Sequence, residues 1–270
     1  MSTTLAKYDG DMILFGCGTM AGAMLTRWLA KGLAAEHVLA IRPSGAKAPG
    51  GVRTKTNAER VGTPDIIVIG VKPQIFSSVS AEIAKLAGPK TLIISIMAGI
   101  ALEDLRLALP DAGNIVRAMP NLPVIDGRGV IAVVSEAPDK RIDMLMSPLG
   151  HVHVMEDEAG FNLVTALTGC GPAFVYRFAA AMAGAAVRLG LNEQDANTLA
   201  RATLAGAAAT LAASDHSAAE LADAVASPGG MTQAGLDVLD SDGRLAALLA
   251  ETLRAARDRG RELSATLRGD

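Results

Sequence analysis

The tightest constraint on this chain is a glycine-containing turn set between a short apolar run and a helical pattern. Met12–Phe15 leads directly into Gly16-Cys17-Gly18-Thr19-Met20-Ala21, and Leu25, Trp28 and Leu29 follow at helical spacing. In such a G-x-G-x-x-A turn the first glycine permits a sharp reversal and the second lets a pyrophosphate approach the backbone. The small third position brings helix and strand together. A helix starting here presents free N–H groups and the positive end of its dipole to an anion. Gly16, Gly18, Thr19 and Met20 are therefore expected to bind a dinucleotide, and Cys17 reads as a small residue at a tolerant position. The plain alternative is a glycine turn that binds nothing; its place after the first strand of an α/β pattern argues against that.

The pattern extends well past the turn. Short, nearly continuous apolar runs at Met12–Phe15, Val38–Ile41, 66–71, 92–96, Asn114–Met119, 130–134 and 152–155 alternate with helical stretches. Such runs suit strands covered on both faces, so a doubly wound parallel sheet of Rossmann type is expected over 1–156. Beyond about Asp157 strand-like runs vanish and Ala, Leu, Arg and Glu dominate, which makes 157–270 an all-helical domain. Its Ala-rich segments, 178–187 and 200–213, allow close helix approach. An intrachain bundle would satisfy that composition. Because so thin a domain gains core by pairing, dimerisation through this half is expected instead, with a pentamer of dimers as a larger assembly.

Composition closes several other routes. A net charge of -3 gives no basic face for a nucleic acid. Lys7, Asp9 and Asp11 precede the first apolar run, unlike a signal peptide, so a cytoplasmic protein is expected. The uncharged stretch 202–214 falls short of the roughly 20 residues of a membrane span, and no membrane partner is expected. The two cysteines, Cys17 and Cys170, lack metal-ligand spacing. His151 and His153 share one face of a strand with no third ligand nearby, so no metal site is expected.

The end of the second strand bears on cofactor choice. Ala40-Ile41-Arg42-Pro43-Ser44 carries no acid where an NAD site places one for the ribose hydroxyls. Arg42 offers a permanently charged planar fork suited to a 2′-phosphate, and Ser44 a further donor. NADPH is thus the expected cofactor, with NADH the one to test beside it. A solvated surface arginine is the alternative.

Four further motifs occur in a definite order: Val71-Lys72-Pro73-Gln74, Arg117-Ala118-Met119-Pro120-Asn121-Leu122-Pro123, Thr165-Ala166-Leu167-Thr168-Gly169-Cys170-Gly171-Pro172-Ala173-Phe174 and Ser227-Pro228-Gly229-Gly230-Met231-Thr232. Behind a dinucleotide turn, this series resembles the pyrroline-5-carboxylate reductase family along nearly the whole chain. The resemblance implies that Val71, Lys72 and Pro73 border the nicotinamide ribose, and that Asn57, Ala98, Gly99 and Asn121 also contact the cofactor. It further implies that the Ser227, Gly229 and Gly230 turn holds the carboxylate of 1-pyrroline-5-carboxylate, or of the product L-proline, while the Thr232 hydroxyl reaches the ring nitrogen.

Physical chemistry gives these motifs work independent of the name. Lys72-Pro73 follows a strand at its carboxyl end, where open α/β sheets bind ligands. Two glycines around Cys170 cost a helix roughly 1 kcal/mol each, which suggests close approach by something. A Pro-Gly turn at a helix start exposes N–H groups to a carboxylate; an ordinary N-cap made by Ser227 would also explain it. Pro120 serves structure or function equally well. The chain departs from the family at Cys170, where serine is usual, at Leu122, where threonine is usual, and at Ser214-Asp215-His216-Ser217, where many relatives carry a glutamate in a Glu-x-His-Pro-like stretch. His216 reads as a surface residue.

A protonated ring imine is already electrophilic, so the expected site needs backbone donors and hydroxyls around a carboxylate and no indispensable lysine or histidine. Two rivals stand beside this reading. A 3-hydroxyacid dehydrogenase would protonate an alkoxide with a lysine of the helical domain, and no lysine follows Lys140. A noncatalytic NADP-binding protein would have no use for Thr232 and an intact 227–230 turn.

Overall fold

The computed structural model describes residues 5–59 and 61–268. An eight-stranded sheet forms from β1 (Met12–Phe15), β2 (Val38–Ile41), β3 (Arg53–Lys55), β4 (Ile66–Ile69), β5 (Leu92–Ser95), β6 (Asn114–Met119), β7 (Gly129–Ser135) and β8 (Gly150–Val154), in the order β3-β2-β1-β4-β5-β6-β7-β8. Neighbours are parallel throughout except β6 and β7. That exception follows from chain length: only the short 3-10 segment Leu122–Asp126 joins them, and a parallel crossover needs a dozen or more residues. The run at 130–134 thus turns the sheet's direction instead of continuing it.

Alternation along each strand divides the core. Leu14, Val68, Ile94 and Val116 face a cluster with Met24, Leu25 and Trp28 of α1 (Thr19–Ala30) and Leu145 of α4 (Lys140–Met146). Ile13, Phe15, Ile67, Ile69, Ile93 and Ile115 face Ile83 of α2 (Phe76–Leu86) and Leu105 of α3 (Leu102–Ala108). Both sheet faces are covered, which is why the strands read as unbroken apolar runs. Trp28 also donates its indole N–H to the Leu145 carbonyl at 2.6 Å, so α1 and α4 are joined by a polar contact inside the apolar layer.

The chain divides into two compact units. One comprises residues up to Cys170 together with those from Ala255 onward; the other is Gly171–Arg254. The first includes α5 (Phe161–Thr168), which buries Phe161 against Ala132 and Val134 of β7. The later part of α10 (Arg244–Arg268) belongs to the same unit.

The second unit contains α6 (Gly171–Arg188), α7 (Glu193–Ala213), α8 (Ala218–Ala224) and α9 (Met231–Asp240). Its buried cluster consists of Ala183, Ala196 and Ala200 with Ala186 against it, while Tyr176, Phe178, Leu189, Leu199 and Val225 are exposed. By length and composition Phe161–Arg188 is long and apolar enough to cross a membrane. The stretch 202–214 is not the one that meets this test, and Gly169 and Cys170 divide Phe161–Arg188 into α5 and α6.

Polar pins hold the edges of the sheet unit. Asp139 caps α4, accepting from the Arg141 amide at 2.9 Å and pairing with the Arg141 guanidinium at 2.6 Å. Arg141 in turn donates to the Asp65 and Lys90 carbonyls. Burial alone would push the Asp139 carboxyl up, but the side-chain and backbone hydrogen bonds from Arg141 outweigh it and hold the group below the usual aspartate range. A carboxyl depressed by folding contributes stability that is complete above its unfolded pKa and is lost as pH falls through the folded one. Asp139→Ala should therefore cost about 1 kcal/mol at neutral pH, the usual worth of an N-cap. Urea unfolding at a series of pH values should show the gap to wild type closing as the medium is acidified below the aspartate range; a gap independent of pH would contradict the assignment.

Candidate active site

The glycine turn is built as its sequence requires. Gly16 lies at φ +81°, donates its N–H to the Ile41 carbonyl at 3.0 Å, and passes so close to the turn after β4 that a Cβ would sit 2.8 Å from the Gly70 oxygen. Gly18 caps α1 in an extended conformation with no side-chain cap. A Cβ on Gly18 would meet nothing within 4 Å, so its outer side is open to an approaching group. Ala21 is buried, and a Cβ on Gly70 would lie 3.0 Å from the Ala21 Cβ. The third small residue is thus set by the crossing with β4.

A cavity of about 750 Å³ opens beside this turn, lined by Gly18, Thr19, Arg42 and Lys47 among others. Arg42 extends from the end of β2, its amide donating to the Lys55 carbonyl at 2.8 Å and its Nη1 to the Lys47 carbonyl at 2.7 Å. Lys47 is a second cation on the same cavity that sequence reasoning missed, because it lies in a loop without periodicity. Burial pushes the Cys17 thiol up, the nearby Arg42 charge opposing it more weakly, so Cys17 stays a neutral thiol. Met20 is half-buried against the core. Ser44 and Asn57 are exposed; Ser44 accepts from the Ala46 amide and Asn57 from the Glu59 amide.

The remaining expected cofactor residues gather on one edge, at the carboxyl ends of β4, β5 and β6. Val71 and Lys72 leave β4, and Pro73 opens a 3-10 turn, Pro73–Ile75. Ala98 and Gly99 form the turn after β5, Gly99 at φ +81°, and share a small cavity of about 40 Å³ with Arg117 and Met119 of β6 and with Cys170. β1 lies between β2 and β4, so the chain's connections reverse direction beside it, and ligands of open α/β sheets bind at such a switch point.

Asn121 lies just past the end of β6. It is 5 % exposed, its Nδ2 donates to the Thr168 carbonyl at 2.8 Å, and its Oδ1 accepts from the Val130 amide at 2.9 Å. These two bonds tie β7 and α5 to the end of β6. The break between α5 and α6 is also packed: a Cβ on Gly169 would lie 2.8 Å from the Thr165 oxygen, whereas Gly171 faces open space.

In the second unit, Ser227 through Thr232 make a tight turn. The Gly230 amide donates to the Ser227 carbonyl at 2.8 Å, and Gly229 takes φ +71°. Gly230 caps α9 with no side-chain bond. Ser227 therefore closes the turn through its backbone and does not cap the helix, and Thr232 stands exposed in the first turn of α9. His216 is exposed, 4.0 Å from Glu220. Ser217 and Glu220 form a reciprocal capping box at the start of α8, and the hydrogen bonds from Ser217 hold the Glu220 carboxyl below its usual range.

The fold and the glycine turn define a Rossmann-type oxidoreductase. Residues 12–99 match a family model described as NADP oxidoreductase, coenzyme F420-dependent, and residues 158–263 match one described as pyrroline-5-carboxylate reductase dimerisation. The pyrroline-5-carboxylate reductase of Pseudomonas aeruginosa is 34 % identical over 93 % of this chain and 96 % of its own, and that of Synechocystis is 34 % identical over 93 % and 97 %. Among solved structures, a pyrroline-5-carboxylate reductase from Coxiella burnetii superposes with a TM-score of 0.86 at 29 % identity, over 95 % of this chain and 99 % of that one. The Plasmodium falciparum pyrroline carboxylate reductase with NADP bound gives 0.83 at 26 %, over 95 % and 98 %. The chain belongs to the pyrroline-5-carboxylate reductase family.

The two glycines of the turn should respond differently to an added methyl group. Gly16→Ala should lower the melting temperature, since its Cβ has no room and its φ disfavours L side chains. Gly18→Ala should leave melting unchanged and weaken dinucleotide binding about tenfold, roughly 1.4 kcal/mol. Calorimetric melting and titration of the two variants check this, and equal destabilisation by both would refute it.

Proposed function

We propose that this chain is an NADPH-dependent pyrroline-5-carboxylate reductase, reducing the C=N bond of 1-pyrroline-5-carboxylate to L-proline in the last step of proline biosynthesis. The observation that carries the reading is the cavity at the glycine turn, where an open Gly18 and the two cations Arg42 and Lys47 line one space. That set suits a pyrophosphate together with a 2′-phosphate. When bound, NADPH supplies the hydride. Thr19 and Met20 present α1 amides to the pyrophosphate, Arg42 and Ser44 hold the 2′-phosphate, and Asn57 attends the adenosine ribose. Val71, Lys72, Pro73, Ala98 and Gly99 line the nicotinamide end.

In this reading the turn of Ser227, Gly229 and Gly230 grips the substrate carboxylate with uncapped amides of α9, and the Thr232 hydroxyl bonds the ring nitrogen. The substrate brings its own positive charge, so the protein orients and excludes water and needs no strong acid. The helical part, 157–270, serves substrate binding and dimerisation. Within it, the alanine core of the Gly171–Arg254 unit is too slight to sustain that unit alone, and its exposed apolar side chains are what a second copy would cover. We assign that cover to a partner chain and not to a lipid bilayer, and we place the assembly, five dimers at its largest, in the cytoplasm.

Purified protein mixed with NADPH and pyrroline-5-carboxylate should consume the reduced nicotinamide absorbance; no consumption above background would defeat the proposal. Thr232→Ala should lower kcat at least tenfold with KM for NADPH unchanged, and an unaltered kcat would remove Thr232 from the site. Arg42→Ala should raise KM for NADPH about tenfold, roughly 1.4 kcal/mol, with little effect on NADH. Equal effects on both cofactors would assign the arginine to another task.

A further inference from the structure

Resting on the reductase reading above, we propose that Arg117 and Glu158 are positioning residues for hydride transfer, which set the turn at the end of β5 that carries Ala98 and Gly99.

Arg117 is out of character with its strand. Its neighbours Ile115, Val116 and Ala118 are almost fully buried, and Arg117 itself is 6 % exposed. Its Nη1 donates to the Glu158 carboxylate at 2.6 Å and its guanidinium stacks 4.2 Å from the centroid of the Phe161 ring, while its Nε is buried with no partner. A pair whose only task was to hold β6 to α5 could be replaced by apolar side chains of similar volume with little loss. This carboxylate does more. Both of its oxygens lie 3.2 Å from the amide of Leu102, the first residue of α3, so Glu158 joins the buried cation to the exact point where the β5–α3 turn re-enters regular structure.

That turn is pinned along its length. The Met97 amide donates to Ser95 Oγ at 3.3 Å, and the Ala101 amide to Asp104 at 3.1 Å. Between these pins stand Ala98 and Gly99, with Gly99 in the left-handed region. Arg117 pairs with Ser95 across the β5–β6 ladder and lines the same small cavity as Ala98 and Gly99. The guanidinium therefore sits behind the turn, and the carboxylate fixes its far end. A turn held from both sides keeps the nicotinamide face at one height, and donor-to-acceptor distance is what governs the hydride step; displacement by about 1 Å costs on the order of 100-fold.

The test compares Glu158→Gln, Glu158→Asp and Arg117→Met with wild type for kcat, KM for NADPH, and the primary isotope effect on kcat using NADPH deuterated at the transferred position. Glu158→Gln keeps an acceptor for the Leu102 amide and removes the charge that holds Arg117. It should lower kcat at least tenfold with KM for NADPH within twofold, and the isotope effect should rise as hydride transfer becomes rate-limiting. Glu158→Asp should fall between. A purely structural role would lower the folded fraction without moving the isotope effect. Variants with wild-type kcat per cofactor-binding site, or with an unchanged isotope effect, would overturn the proposal. If Arg117→Met fails to fold, the two Glu158 variants decide the matter. Wild type without pyrroline-5-carboxylate-dependent turnover would instead remove the reductase reading, and this proposal with it.

Discussion

The crossing of two backbone turns, at Gly16 after β1 and at Gly70 after β4, is the constraint on which the sheet unit depends. With a Cβ at Gly16 only 2.8 Å from the Gly70 oxygen, neither strand end could carry a side chain there. This approach brings β1 and β4 side by side, sets Ala21 of α1 against Gly70, and places the uncapped helix start at Thr19 beside the cavity bearing Arg42 and Lys47. The residues that fix the fold here are therefore neighbours of those proposed to bind the anion. Gly16 and Ala21 serve packing, whereas Gly18, with open space before it, has no packing reason to lack a side chain.

The two units solve the burial problem differently. In the sheet unit every central strand is covered on both faces, and the clusters around Trp28 and Ile83 are large. In the Gly171–Arg254 unit the side chains that meet are alanines, each removing little apolar area from water, and the bulky residues point outward. At about 25 cal/mol per Å², small side chains cannot offset the backbone entropy of ordered helices. The match of residues 158–263 to a dimerisation family is what such a surface calls for. A face that pairs with a second copy also accounts for the apolar composition of Phe161–Arg188.

Much of this architecture was legible because its signals are local. Val38–Ile41 and Asn114–Met119 are strands at the expected bounds, since short, mostly apolar runs between turns admit few other structures. β3 was not legible: Arg-Thr-Lys on an exposed sheet edge carries no apolar pattern, and only pairing with β2 makes it a strand. The reversal at β7 was hidden for a related reason, because the direction of a strand is set by connection length and not by its side chains. Around the candidate site, the turns at Gly16–Gly18 and at 227–232 were readable as turns from their Gly and Pro residues, whereas a ligand role for 227–232 came only from the family resemblance. The structural part of Asn121, its hydrogen bonds to Thr168 and Val130, was not readable because both partners are distant in sequence. Lys47 was missed because its relation to Arg42 exists only through the fold of the intervening loop.

Arg117 shows how much of a site's energetics lies outside the residues that would touch a ligand. Removing one partner of a buried ion pair typically costs about 3–5 kcal/mol, because a charge is left unpaired in a medium that solvates it poorly. That penalty is a large share of the 5–15 kcal/mol by which domains are usually stable. An apolar residue at this position of β6 would avoid the exposure to that loss, as Ile115 and Val116 do beside it. The sheet retains the cation nonetheless, at the strand whose end meets the Ala98 and Gly99 turn, with the carboxylate that neutralises it shared with the Leu102 amide. A charge placed where packing would favour none, and joined to the loop nearest the chemistry, is better accounted for by geometry that the reaction requires than by stability that the fold does not gain from it.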